Sequence, residues 1–267
     1  MGLSSNSGIQ RQFYRQGPDY RFDEQVDFAD IKSQFGLAGI TVGRWVDNQE
    51  KRLAANLVFD ALADLAFLLN VPPQVMGLRQ SLSLAFGQGG SPLAQAHYAP
   101  ASNTLALAKN AGAGALAHEW WHAFDHYIAF RLYPRHSDDS IMRSFASDLW
   151  LTERTPTAHP LNGRLQQLFA TTLLSEDGQT KHDFVSRSVA LDKRIGRRYF
   201  SLPTEMMARA FEATLQQDSR IKNQYLVSGT KATELAQQGG FPDVAHLTRI
   251  HTALHGYFTP LGQALSR

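Results

Sequence analysis

Cysteine is absent from this 267-residue chain, which excludes disulfides, thiolate-based zinc sites and thiol nucleophiles. No apolar run approaches the length that spans a bilayer, so no membrane partner is expected. The opening stretch MGLSSNSGIQRQFYRQ has no apolar core behind a basic start, so no secretory signal is expected and the cytoplasm is the expected location. Asn6 stands where N-myristoylation requires Ser or Thr. A surplus of one charge is missing too. With 26 basic against 24 acidic residues the net charge is only +2, too little to argue for a nucleic-acid partner.

What is present is an ordinary globular composition, 43% hydrophobic and 19% charged, on a chain long enough for a sizeable core. Residues 1–35 are polar with little periodicity and read as a flexible or loosely docked arm. Residues 36–267 read as a single domain, in which 36–132 hold a sheet and the helix with the candidate site, and 133–267 are mainly helical. Gly39–Val42 suggests a short strand. From about Asn48, Leu53, Leu57, Ala61, Leu65 and Leu68 form one helical stripe, with Asp60 and Asp64 off it, until Pro72 and Pro73 end the helix. Leu82–Phe86, Ala96–Tyr98 and Thr104–Ala108 read as strands, broken by Gly87, Gly89 and Gly90 and by the small-residue loop Asn110–Gly114. Ala115 to about Leu132 is helical, its buried stripe formed by Leu116, Trp120, Phe124, Tyr127 and Ile128. Further helices are expected near Ser140–Trp150, Asn162–Leu174, Pro203–Gln217 and Val244–His255. This order implies an α+β fold with a small mixed sheet.

His118-Glu119-Trp120-Trp121-His122 is an HExxH pentapeptide in the middle of its helix. At about 100° per residue, the two histidines differ by about 40° around the helix and by one turn along it, so both imidazoles can reach one ion. Zinc is the expected cofactor. It would acidify a water and polarise a carbonyl, and Glu119, beside the two ligands, would accept the proton as general base. The pattern also arises by chance, but here it lies opposite Leu116, Trp120 and Phe124 and follows a strand and a Gly-containing loop.

Gly43-Arg44-Trp45-Val46, Leu82–Gly87 (LSLAFG), His97-Tyr98, Leu105–Asn110 (LALAKN), Gly114–Tyr127 (GALAHEWWHAFDHY) and Pro203–Glu212 (PTEMMARAFE) together resemble the bacterial CLCA_X family. That family in turn resembles the large polyvalent protein-associated domain of mobile elements. The resemblance implies a zincin-like metallopeptidase fold, a zinc site on His118 and His122, and a peptide or protein substrate. It covers roughly Phe35–Tyr127 and the later block, and is weak at both termini.

A catalytic zinc needs a third protein ligand. A metzincin continuation fails, because Asp125 stands where Gly is needed and position 128 is Ile. His126 lies about 12 Å along the helix from His118, too far to share the ion. A thermolysin-like Glu about twenty residues on is not found in Ser140–Met142. Glu205, 205 − 122 = 83 residues past the second His, is the leading choice and makes the site gluzincin-like. Its helix is marked by Pro203 and by Ser201 as candidate N-cap, and the resembling family carries an acidic residue in the corresponding block. Glu212 is the second choice. The competing reading is a solvated face on which Glu205, Arg209 and Glu212 form helical ion pairs. Asp125 is either a hydrogen-bond partner of a ligand imidazole or a solvated helix residue.

An oxyanion stabiliser is expected in a peptidase. Tyr199 is preferred over His97, Tyr98, Arg209 and His255, although a Tyr-Phe pair before a helix also reads as packing. Thr104–Ala108 is the candidate edge strand for an extended substrate. His251 and His255 stand one turn apart without a companion Glu. They read as partly buried structural histidines, with a second metal as the lesser reading. Lys193, Arg194, Arg197 and Arg198 read as a solvated basic face or an anion-recognising one. The rival to an enzyme is a non-catalytic zinc-stabilised module serving a mobile-element or nucleic-acid process. Oligomeric state is left open.

Overall fold

The computed structural model describes residues 9, 12–88, 96–108 and 114–266. Residues 1–8, 10 and 11 of the arm, the breakers Gly89 and Gly90, and the Asn110–Gly114 loop apart from Gly114 itself lie outside them. In chain order the elements are β1 (Arg15–Gln16), α1 (Phe28–Phe35), β2 (Ile40–Val42), α2 (Asn48–Leu69), β3 (Ser83–Phe86), β4 (Ala96–Ala99) and β5 (Thr104–Leu107). Then follow α3 (Leu116–Leu132), α4 (Ala146–Trp150), α5 (Asn162–Leu173), α6 (Asp183–Ile195), α7 (Pro203–Gln217), β6 (Lys222–Asn223), α8 (Glu234–Gln237) and α9 (Val244–Leu265). The fold is α+β, with a small mixed sheet and mostly helical content. Among the described residues, no helix is long and apolar enough to cross a membrane.

The chain divides into two compact units. The first comprises Met1–Leu68, Pro73–Trp120 and Ser219–Ser228; the second comprises Leu69–Pro72, Trp121–Asp218 and Gly229–Arg267. Helix α3 therefore belongs to both.

In the first unit the sheet order is β2-β3-β5-β4. β2, β3 and β5 run parallel and β4 is antiparallel to β5. Leu84, Ala85, Phe86, Leu105, Ala106 and Leu107 are all buried, as expected of central strands covered on both faces. Thr104–Ala108, read from sequence as the edge, is therefore an inner strand. Among the described residues the edge on this side is β4, because the antiparallel hairpin places it outside β5.

Residues 12–35 carry a set of defined contacts. Asp27 caps α1 by accepting from the N–H groups of Ala29 and Asp30, while the Asp30 side chain accepts from the Asp27 N–H, a complete capping box. Ile31 and Phe35, one turn apart, are fully buried. Ahead of α1, β1 pairs antiparallel with β6. Two arginines then tie this stretch to α2. Arg15 grips Asp64 with Nε and Nη2, both at 2.8 Å, and Arg21 grips Asp60 at 2.9 and 3.1 Å. Asn223 of β6 gives Asp64 a third donor at 2.8 Å. The two acids off the leucine stripe thus point inward: Asp64 is fully buried, whereas Leu53 on the stripe is 36% exposed.

In the second unit α9 packs along α5 and α7. It runs past the expected end at His255 to Leu265, through Pro260. Pro260 cannot donate to the carbonyl of Gly256 four residues earlier. Arg164 of α5 does so instead, at 3.0 Å. His246, near the start of α9, donates from Nε2 to the Thr171 carbonyl (2.8 Å) and stacks on His182 at 3.6 Å. Burial holds its pKa down at about 4, so it sits as a neutral ring.

A buried acid with three donors is costly to neutralise, because the partners stay desolvated. Asp64→Asn should lower unfolding stability by about 2–3 kcal/mol in urea titrations. A variant as stable as wild type would remove this ion pair from the set of contacts that holds the N-terminal stretch.

Candidate metal centre

Helix α3 begins at a turn only glycine can make. Gly114 has φ +88°, and a Cβ there would lie 1.9 Å from the Ser228 Oγ. The Gly114 N–H donates to the Tyr225 carbonyl (3.0 Å) and the Ala117 N–H to that of Leu226 (3.1 Å). The Leu226 carbonyl thus serves an N–H group that the first turn of a helix leaves without an intrahelical partner. The Trp120 indole donates to the Met76 carbonyl at 3.0 Å. With Leu116, Ala117 and Trp120 fully buried, this face is fixed, and His118 and Glu119 lie off it, partly exposed.

Further along the helix, the Trp121 ring centroid lies 4.8 Å from that of Phe211 on α7, and Phe124 lies 5.2 Å from Phe258 on α9. These contacts set α7 beside α3. Nε2 of His122 then lies 3.5 Å from Oε1 of Glu205, with the two side chains 12% and 13% exposed. Because α3 is continuous from Leu116 to Leu132, His118 is fixed one turn from His122 by the helix itself. Ligand atoms of His118, His122 and Glu205 all lie within 4.8 Å of one another. Two imidazole nitrogens and a carboxylate oxygen, mostly withdrawn from solvent, match the donor set of a catalytic zinc with an open position.

Glu119 is held from the sheet. Its Oε2 accepts the main-chain N–H of Tyr98 on β4 at 2.7 Å. Tyr98 was singled out from sequence for its hydroxyl. That hydroxyl donates to Asn103 (3.0 Å), and the group that meets Glu119 is its amide. Nothing in the sequence signals a backbone donor 21 residues upstream.

The reading of Glu205, Arg209 and Glu212 as an exposed ion-pair face is corrected. Arg209 is 2% and Glu212 8% exposed. The Arg209 guanidinium donates to the carbonyls of Gly240 and Phe200 and to the Ser188 Oγ, so it serves the packing of the second unit and is not poised as an oxyanion donor. Glu212 is not part of the three-residue cluster. Ser201 does not cap α7: Leu202 occupies the N-cap, and Ser201 donates instead to Asp192, which also accepts the N–H groups of Tyr199 and Phe200. Tyr199 packs edge-on against Phe200 at 5.2 Å. His97 is exposed on β4, His126 bonds the Ile141 carbonyl at 2.6 Å, and His255 lies 3.3 Å from Asn70.

Asp125 is fully buried, which rules out the solvated reading. Its oxygens accept from the N–H (2.8 Å) and meet the Oγ (2.5 Å) of Ser147. Burial pushes its carboxyl up to about 7, against the lowering effect of Ser147 and of nearby His122. A raised folded pKa means that the folded state keeps a proton the unfolded chain releases near 4, so this contribution to stability is present below about pH 4 and lost as pH rises through 7. An asparagine in place of Asp125 would imitate the protonated acid, its amide oxygen accepting the Ser147 N–H and its amide nitrogen donating to the Ser147 hydroxyl. In metal-free protein, wild type should lose on the order of 2 kcal/mol more than Asp125→Asn between about pH 5 and about pH 8, read from urea unfolding. Parallel profiles would contradict the protonated acid.

Residues 191–265 match the family described as large polyvalent protein-associated domain 1. The match runs from the end of α6 through α9 and takes in Glu205. It supports the resemblance to that domain read from sequence, and does not extend to the bacterial CLCA_X family. Neither the curated proteins nor the solved structures gave a match.

Proposed function

We propose that this chain is a zinc-dependent metallohydrolase with a gluzincin-like site on a zincin-like fold, and that it acts on peptide bonds. The observation that carries the reading is the convergence of His118, His122 and Glu205, with Glu119 next to the first histidine. His118 and His122 would hold the ion from one helix and Glu205 from α7. Zinc bound by such a set supplies Lewis acidity, polarising a carbonyl and making water easier to deprotonate. Glu119 is the group that takes that proton and returns it to the departing amine. The Tyr98 N–H steadies its carboxylate for both transfers.

β4 favours a peptide over a smaller amide. It is an edge strand, and its Tyr98 amide already marks where that strand meets the base. An extended substrate adding to β4 by main-chain pairing would run past Glu119 without needing a particular side chain. The substrate-pairing strand proposed here is therefore β4, in place of Thr104–Ala108.

Two substitutions separate the metal from the chemistry. Glu205→Ala should lower zinc occupancy measured by elemental analysis, and full occupancy would remove Glu205 from the ligand set. Glu119→Gln should keep zinc and lower peptide hydrolysis by about 10²–10⁴-fold. Unchanged hydrolysis in a zinc-loaded Glu119→Gln protein would sink the catalytic role. Zinc binding without hydrolysis of any peptide, in wild type as in the variant, would favour the non-catalytic zinc module.

A further inference from the structure

A second group of metal-binding side chains lies at the far end of α7. Asp218 ends that helix as its C-cap, with its N–H turned back to the carbonyls of Thr214 and Leu215. Its carboxylate faces α9, where His251 and His255 stand one turn apart on the same side. Nε2 of His251 lies 3.4 Å from Oδ2 of Asp218, and the two imidazole centroids are 4.4 Å apart. Ligand atoms of the three residues all lie within 4.8 Å of one another. The Asp218 side chain is 7% and that of His251 42% exposed, so the carboxylate forms the floor of the group and an imidazole its open side. All three residues belong to the second unit.

We propose that Asp218, His251 and His255 form a second metal site, for zinc or a similar borderline divalent cation, that clamps the C-terminal end of α7 to α9. Two imidazoles and one carboxylate suit such an ion and leave a position open to solvent. Calcium and magnesium call for a set of oxygen ligands and find one carboxylate here. The Asn70 amide nitrogen lies 3.3 Å from Nδ1 of His255 and donates to the Thr259 Oγ1 at 3.2 Å.

The two sites cannot share an ion. Asp218 is 218 − 205 = 13 residues beyond Glu205, about 20 Å along a helix. They do share α7. A cation at its C-terminal end would restrain the helix whose N-terminal turn carries Glu205, so the second site stabilises the second unit without touching a reacting group.

The test is a zinc titration of the full-length protein, with bound metal read by equilibrium dialysis and elemental analysis and folding checked by circular dichroism. Four proteins are compared: wild type, His251→Gln/His255→Gln, Asp218→Asn, and His118→Gln/His122→Gln. His251→Gln/His255→Gln should bind about one zinc fewer than wild type and lose the zinc-dependent rise in Tm that this site supplies. His118→Gln/His122→Gln should keep that zinc, and Asp218→Asn should hold it more weakly. Equal zinc uptake and an equal Tm rise in wild type and His251→Gln/His255→Gln would overturn the proposal and leave only a His251–Asp218 ion pair. If that double variant does not fold, Asp218→Asn carries the decision, and zinc binding as tight as wild type overturns the site. The proposal is independent of the α3 centre, whose failure would appear as unchanged uptake in His118→Gln/His122→Gln.

Discussion

Everything at the candidate centre depends on how α3 is buried. A helix with Leu116, Trp120, Trp121 and Phe124 on its inner surface has little freedom to roll, because several large rings would have to leave the core together. Polar anchors act at both ends of the motif. Trp120 donates to the Met76 carbonyl, Ala117 in the first turn donates to Leu226, and Asp125 is tied to Ser147. Two imidazoles can be held ready for an ion only if their helix cannot turn away from it. The aromatic pair inside the HExxH motif, Trp120 and Trp121, therefore positions the site as much as its histidines compose it.

The parts of the fold with strong periodicity could be read from the chain alone. α2, α3 and α7 each carry a repeated apolar pattern with clear breakers, and β2 to β5 are short apolar runs set off by turn residues. The elements that were missed lack that signal. α1 shows only Ile31 and Phe35 as buried positions in eight residues, and its strongest mark is the Asp27–Asp30 capping box. α6 is mostly polar outside, with Phe184 and Leu191 as its buried apolar anchors. Asp60 and Asp64 look like surface residues in any hydrophobicity pattern, and only their arginine partners 39 and 49 residues away explain why they are buried.

The site divides in the same way. His118, Glu119 and His122 are legible because one helix fixes their relation, and local spacing is what a sequence displays. Glu205 could be singled out but not placed, since its meeting with His122 depends on Trp121 packing against Phe211. The Tyr98 amide, the raised pKa of Asp125 and the approach of Asp218 to His251 could not be read at all. A main-chain donor has no residue signature, a raised pKa is a property of burial, and the carboxylate that joins His251 lies 33 residues before it.

The family match falls on one side of this division. It spans 191–265 and so contains Glu205, Asp218, His251 and His255, but none of the HExxH residues. Taken alone, that stretch is a set of helices around α7, with buried Arg209 satisfying loop carbonyls and Asp192 gathering the amides of the turn before Pro203. Those contacts fix where α7 begins, and hence where its first-turn acid stands. Glu205 stands in the first turn of α7, where the helix dipole favours an acidic side chain. Its Oε1 lies 3.5 Å from Nε2 of His122. The matched stretch thus supplies the carboxylate of the three-residue cluster, while the two histidines of the HExxH pentapeptide lie outside it.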